Sequence, residues 1–126
     1  MAIDFVHLHV HSVFSLLDGA CPVAELPRRA KEMGQQSLAV TDHGVMYGCI
    51  DFYKACKAEG VHPIIGCEVY VAPRSRFDKT AELDGEAYHL VLLCQNQKGY
   101  ENLIYLVSQG FLQGFYNNPR VDWDLL

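Results

Sequence analysis

Apolar and polar residues alternate along Phe5-Val6-His7-Leu8-His9-Val10-His11, and a period of two marks a half-buried β-strand. Val6, Leu8 and Val10 would share a core-facing side, leaving Phe5, His7, His9 and His11 on the other. Residues 12–19 read as a loop that ends in the turn signal Asp18-Gly19. Pro22 suits the first position of a helix. Beyond it Val23, Leu26, Ala30 and Met33 recur at helical spacing, with Arg28, Arg29, Lys31 and Glu32 between them. Gly34 is a natural stop for that helix, and Pro27 belongs in its first turn or at a kink. Residues 37–41 form a short apolar run, read as a buried strand, that runs into Asp42-His43-Gly44. The pattern then predicts a helix over 49–59 stopped by Gly60, a β-branched strand over 63–71, and a polar surface loop over 73–87. A strand over 88–94 and an amphipathic helix over 98–115 follow, the helix carrying Leu103, Leu106, Val107 and Phe111 on one face. The tail holds the turn Asn117-Asn118-Pro119 and an acidic, apolar end.

The predicted order is β-α-β-α-β-β-α. Strands with continuous apolar runs separated by helices indicate a mostly parallel sheet with crossover helices, an α/β protein of the open-sheet or barrel type. With 126 residues the chain is one domain at most, expected over 1–126. Asp124-Leu125-Leu126 reads as the beginning of another element, so a fragment of something larger is expected.

Charge and cysteine content narrow the chemistry. A net charge of −5 argues against a sequence-independent electrostatic grip on nucleic acid, while leaving room for an acidic site in which bound dications reverse the local sign. The basic clusters Arg28, Arg29, Lys31 and Arg74, Arg76, Lys79 are read as solvated faces. Five cysteines with no C-x-x-C fit reduced thiols in a cytoplasmic protein better than a disulfide framework or zinc ribbon. There is no basic stretch followed by an apolar run at the start of the chain, so no signal peptide is expected, and no apolar run approaches the length of a membrane span.

Three histidines within five residues, out of six in the chain, make the first strand the place to look for chemistry. An H-x-H pair on a strand sets two imidazoles roughly 6–7 Å apart at Cα, close enough to share an ion. In parallel α/β folds, active sites gather at the carboxyl ends of strands. His9 and His11 meet that expectation, as do Asp18 in the loop beyond and His43 after the second strand; Glu68, within the third strand, is compatible with it. A carboxylate among apolar neighbours, as at Glu68, needs a partner. His89 opens its strand and fits less well; it is either a ligand or a satisfied core residue. Asp18 is either a ligand or part of its turn. Asp42 is expected to cap the following segment rather than bind metal directly. His7, deeper in the strand, is expected to support the ligands from behind, and His62 to lie on the surface. Mixed nitrogen and oxygen donors suit Zn, Mn or Fe, and six candidates exceed the needs of one tetrahedral ion, so two or more ions sharing a carboxylate are expected. Clustered dications serve phosphoryl transfer. No G-x-S-x-G elbow, Walker A or G-x-G-x-x-G occurs.

His7-Leu8-His9-Val10-His11-Ser12 with Asp18-Gly19, then Thr41-Asp42-His43-Gly44, then Gly66-Cys67-Glu68-Val69-Tyr70 resembles the PHP (polymerase and histidinol phosphatase) family. The likeness is greatest to the branch at the N-terminus of bacterial replicative DNA polymerases. Stand-alone phosphatases of the family usually carry Asp in place of His7, which counts against a histidinol-phosphatase type. The resemblance implies a distorted (β/α)7 barrel, incomplete in this chain because the later ligands, including an Asp-x-His, have no counterpart here. It implies two or three divalent ions held by His9, His11, Asp18, His43, Glu68 and His89, with Glu68 bridging. It further implies phosphoester hydrolysis by a metal-bound water, such as 3′–5′ exonuclease proofreading. DNA, through the full-length polymerase, and other replisome subunits are the implied partners. A non-catalytic module bracing the polymerase is the alternative, and no polymerase active site lies in these residues.

Overall fold

A computed structural model describes residues 5–126; residues 1–4 of the expected domain lie outside the described part. The elements in chain order are α1 (Glu25–Glu32), β1 (Ser37–Val40), α2 (Cys49–Glu59), β2 (His62–Val71), α3 (Ala81–Asp84), β3 (Tyr88–Leu93), α4 (Gln97–Leu112) and β4 (Arg120–Val121). The α/β class and the helix and strand positions predicted between 25 and 112 are present. The bounds of α2 agree with the prediction, and Gly60 closes the helix in the left-handed conformation at φ 73°, which a residue without Cβ adopts at no steric cost. Asn96 caps α4 by accepting from the Gly99 amide at 3.0 Å.

β2 is the axis of the sheet. Its first half pairs in parallel with β1, Ser37 opposite His62 through Val40 opposite Ile65. Its second half pairs with β3, Gly66 opposite Leu93 through Val71 opposite Tyr88. At Tyr70 and Val71 it also pairs in parallel with β4. Two apolar clusters hold the layers. Val23, Ala30, Leu38, Val40, Phe52, Cys56 and Val61 lie between α1, α2 and β1. Cys67, Val69, Val71, Leu103 and Val121 lie between β2, β4 and α4.

The structure departs from the sequence reading in four places. First, residues 5–11 are extended but are not a regular strand. They dock in parallel on β1 through one bridge, His7 with Leu38, and through the Ala39 amide to the His7 carbonyl and the Thr41 amide to the Val10 carbonyl. Val6 and Val10 turn inward as expected, but Leu8 stays exposed. Second, β3 runs antiparallel to β2, because residues 72–87 return the chain to the same end of the sheet where a crossover helix would have carried it to the other. Third, that segment is more than a polar loop. It contains α3, and Asp84 is buried against Arg74 at 2.6 Å. Fourth, the tail contributes β4, whose Arg120 is 1% exposed. The Arg120 guanidinium donates to the carbonyls of Gly114 at 3.0 Å, Arg76 at 3.1 Å and Asp78 at 2.8 Å.

The basic clusters divide accordingly. On α1, Arg28 and Arg29 pair with Glu25 and Glu32 on the exposed surface, as a solvated face does. Arg76 instead lies largely buried against Asp122 at 2.9 Å. Among the described residues no helix is long and apolar enough to cross a membrane.

Candidate metal centre

Three segments converge at the carboxyl end of β2. The extended segment brings His9 and His11, the loop after it brings Asp18, and the chain leaving β1 brings His43, which bridges in parallel to Glu68. Glu68 and Tyr70 are two apart on β2 and therefore share a face, while Cys67, Val69 and Val71 face the α4 cluster. The reversed direction of β3 resolves the awkward position of His89. It begins β3, but antiparallel pairing sets it opposite Tyr70, at the same end as the other candidates.

Glu68, 5% exposed, is the common partner. Its Oε2 meets His9 Nε2 and lies 3.2 Å from His11 Nε2. Its Oε1 lies 2.5 Å from His89 Nδ1 and 3.7 Å from His43 Nδ1. Burial alone would push the Glu68 carboxyl up, but hydrogen bonds from His9 and His89 and the charges of His43 and His9 more than offset it, so its pKa falls below the ordinary 4.5. His43 Nε2 reaches Asp18 Oδ2 at 2.7 Å. Ligand atoms of His9, His11 and Glu68, of His11, Asp18 and His43, and of His43, Glu68 and His89 form three groups, each within 4.8 Å of one another.

Backbone and ring contacts orient these side chains. His11 Nδ1 is 2.8 Å from the Thr41 carbonyl oxygen. A carbonyl only accepts, so Nδ1 carries the proton and Nε2 is the nitrogen turned toward the centre. The His11 ring stacks on His43 at 4.0 Å between centroids. Tyr70 lies parallel to His43 at 6.2 Å and edge-on to His89 at 5.0 Å. Gly44 holds φ 65°, and a Cβ there would come within 2.9 Å of the Tyr70 ring, so the turn after His43 and the aromatic beside it require each other.

A divalent ion fits this donor set. His43 Nδ1 is buried without a hydrogen-bond partner, and Glu68 Oε1, 3.7 Å away, is beyond hydrogen-bond reach. An unpartnered imidazole nitrogen facing a carboxylate is what an intervening cation would satisfy.

His9, His11, Asp18, His43, Glu68 and His89 thus come together. His7 does not join them: it is exposed, stands edge-on to Phe5 at 4.8 Å, and among the described residues its ring makes no hydrogen bond to the cluster. Asp42, expected to cap the segment after it, instead turns back to the 12–19 loop. It is 3% exposed and accepts from the Ser12 amide at 2.6 Å, the Ser12 hydroxyl at 2.7 Å and the Ser15 hydroxyl at 2.7 Å. Thr41, Tyr70, Ser12 and Ser15 were not singled out as site residues from the sequence. Tyr70 could have been found by period two from Glu68; the others act through backbone atoms or tertiary hydrogen bonds that leave no local pattern.

Part of the fold is shared with solved structures. The chain superposes on an amidohydrolase from Chromobacterium violaceum with bound sulfate and no metal, at TM-score 0.55 and 25% identity, covering 82% of this chain and 34% of that one. It also superposes on a putative metal-dependent phosphoesterase from Bifidobacterium adolescentis at TM-score 0.55, covering 89% of this chain and 36% of that one, with 17% identity, a likeness of fold alone. The PHP domain family model matches residues 7–126, and the chain belongs to that family. Among curated relatives it is 54% identical over 124 residues to DNA polymerase III subunit alpha of Treponema pallidum, covering 98% of this chain and 11% of that protein. It is 50% identical to the same subunit of Chlamydia pneumoniae and 48% identical to that of Aquifex aeolicus, covering 10% and 11% of their lengths. The chain spans about a tenth of the length of these relatives.

Proposed function

We propose that this chain is the N-terminal part of the PHP domain of a bacterial replicative polymerase alpha subunit, with a centre of two or three divalent ions that hydrolyses phosphoesters, including the 3′ end of DNA. The observation that carries the reading is the division of labour at Glu68: one carboxylate oxygen faces His9 and His11, the other His89 and His43. A carboxylate addressed from both sides by different imidazoles has the geometry of a bridge between two ions. His9 and His11 would hold one ion with Glu68, His43 and His89 another, and His11, Asp18 and His43 a third. Zn, Mn or Fe suits these donors, and ions bound there supply Lewis acidity for phosphoester hydrolysis. The chain's own contribution is orientation. Thr41 fixes the His11 tautomer, Tyr70 and His11 confine the His43 ring, and Glu68 is held as a carboxylate. The reading brings with it DNA and replisome subunits as partners and a cytoplasmic location.

The test uses the full-length protein carrying this domain. Metal-dependent release of 3′ nucleotides from labelled single-stranded DNA is expected to fall at least 100-fold in Glu68→Gln, with primer extension retained as an internal control. Equal nuclease activity in both proteins would refute the proposal.

A bracing role is a second reading, favoured by the exposed apolar side chains of α4, among them Ile104, Tyr105 and Leu112. Under that reading chelation lowers the melting temperature of the domain, while ligand substitutions leave no nuclease deficit because none existed.

A further inference from the structure

Residue 42 ties together the loop, the turn into His43 and β2. Its side chain holds Ser12 and Ser15 of the loop, its carbonyl accepts from the Glu68 amide at 3.0 Å, and its peptide leads directly into His43. Ser15 is the narrower joint. Its hydroxyl donates to Asp42 and accepts from the His43 amide at 3.1 Å. Its carbonyl accepts from the Asp18 amide at 3.0 Å and the Gly19 amide at 2.7 Å. One buried residue, 2% exposed, therefore holds both members of the Asp18–His43 pair, His43 through its hydroxyl and Asp18 through its carbonyl. The segment it holds is under tension: Leu17, between Ser15 and Asp18, adopts φ 65° with its side chain in solvent, a left-handed conformation that costs a non-glycine residue free energy.

Neither residue can serve as ligand or nucleophile. Both Asp42 oxygens are occupied by serine donors, and the Ser15 hydroxyl is used as donor and acceptor at once. Of the three candidate ion positions, the one formed by His11, Asp18 and His43 lacks Glu68; two of its three ligands hang from Ser15, whereas Glu68 and His89 are held by β2 and β3.

We infer that Ser15, fixed by Asp42, is a positioning residue that governs occupancy of the His11–Asp18–His43 ion position separately from the His9–His11–Glu68 position, which has no ligand held by Ser15. The inference rests on the metal-centre reading above. Alanine at 15 would leave the His43 amide without its acceptor and untie the loop that carries Asp18 from Asp42, lowering affinity where Asp18 and His43 act together while Glu68 stays in place on β2.

The experiment is titration of the metal-free full-length protein with Mn2+, counting free aquo ion by electron paramagnetic resonance. The wild type is expected to bind at least two ions. Ser15→Ala and Asp42→Ala are expected to weaken the ion held by Asp18 and His43 by about 10- to 100-fold, the usual range for groups that orient metal ligands, and to leave at least one other ion within threefold. Ser15→Thr, which keeps the hydroxyl, and Asp42→Asn, which keeps an acceptor oxygen for Ser15, are expected to restore that ion to within about tenfold of wild type. Retention of every wild-type affinity in both alanine variants overturns the inference, as does equal weakening of all ions, which is the mark of general loosening. If the alanine variants misfold, Ser15→Cys carries the test, and unchanged occupancy there overturns it. The wild-type count tests the metal-centre reading by itself: fewer than two ions would overturn that reading, whereas the difference between variant and wild type tests Ser15.

Discussion

Replacing Arg120 probes a part of the domain that lies outside the centre but next to it. The guanidinium is 1% exposed and donates at 2.8–3.1 Å to three backbone carbonyls, those of Gly114, Arg76 and Asp78, with a longer contact of 3.4 Å to Asp84. It also lies 5.3 Å from the centre of the Tyr116 ring. Arg120→Met keeps much of the volume and removes every donor. Each charge-assisted bond is worth about 1.5–3 kcal/mol, and a buried acceptor left without a donor costs about 1–3 kcal/mol. The cation itself, however, no longer has to be desolvated, which returns several kcal/mol. The balance is a local destabilisation of about 3–5 kcal/mol. Arg120→Lys keeps the charge but cannot span all three carbonyls, and should cost about half as much. The effect belongs to the segment the carbonyls come from, so amide hydrogen exchange in the full-length protein is the assay. The amides of Asp78, Leu83 and Asp84, which donate to Ser75 and Thr80, should exchange two to three orders of magnitude faster in Arg120→Met, since about 1.4 kcal/mol is tenfold. A change under threefold would show that water or the neighbouring arginines take over those carbonyls, and would refute the assignment of Arg120 as the centre of that segment.

Further outcomes follow from burial and charge. Burial pushes the Cys67 thiol up to about 12, helped by the nearby Asp42 and Glu68 charges, and the Cys56 thiol to about 11; exposed Cys21 should therefore be alkylated by iodoacetamide at pH 7.5 at least 100-fold faster than either, read by peptide mass spectrometry. Burial raises the Asp122 carboxyl, but hydrogen bonds from the Arg76 amide and guanidinium, the Arg76 charge and the Leu125 amide hold it below its ordinary 3.8. A depressed carboxylate contributes stability that is fully present above its unfolded value and is lost as pH falls through its folded one. The exchange protection of the Arg76 and Leu125 amides should thus be constant from pH 7 to about 5, after correction for intrinsic rates, and collapse below about 4; Asp122→Asn should show the collapsed value throughout.

The sequence made the centre more legible than the sheet that carries it. Polar residues at strand ends are conspicuous against apolar runs, so His9, His11, Asp18, His43 and Glu68 could be picked out by type and position. His89 could not be placed, because its position depends on the direction of β3, and strand direction is set by where a connection ends. Nothing in residues 72–87 reveals that Arg74 and Asp84 fold the segment back on itself. Arg120 and β4 were invisible for a related reason: the carbonyls that make a buried guanidinium tolerable belong to residues 76, 78 and 114, brought together only by the fold. Alternation over residues 5–11 implies a strand with partners, whereas among the described residues the segment makes a single bridge, to β1.

The alternation along β2 has a consequence for how the chain chooses its own pairing. Cys67 and Val69 face the α4 cluster, and Glu68 between them faces the imidazoles. A slip of one residue against β1 or β3 would reverse the faces, burying a carboxylate in the apolar layer and presenting a thiol and an isopropyl group to the four histidines around Glu68. Such a misregistered sheet would carry an unpaired buried charge and would have nothing to offer a cation. Any ion that binds the native arrangement therefore adds its binding energy to the correct register alone. On the proposed metal-centre reading, Glu68 would thus act as a check on assembly as well as a ligand.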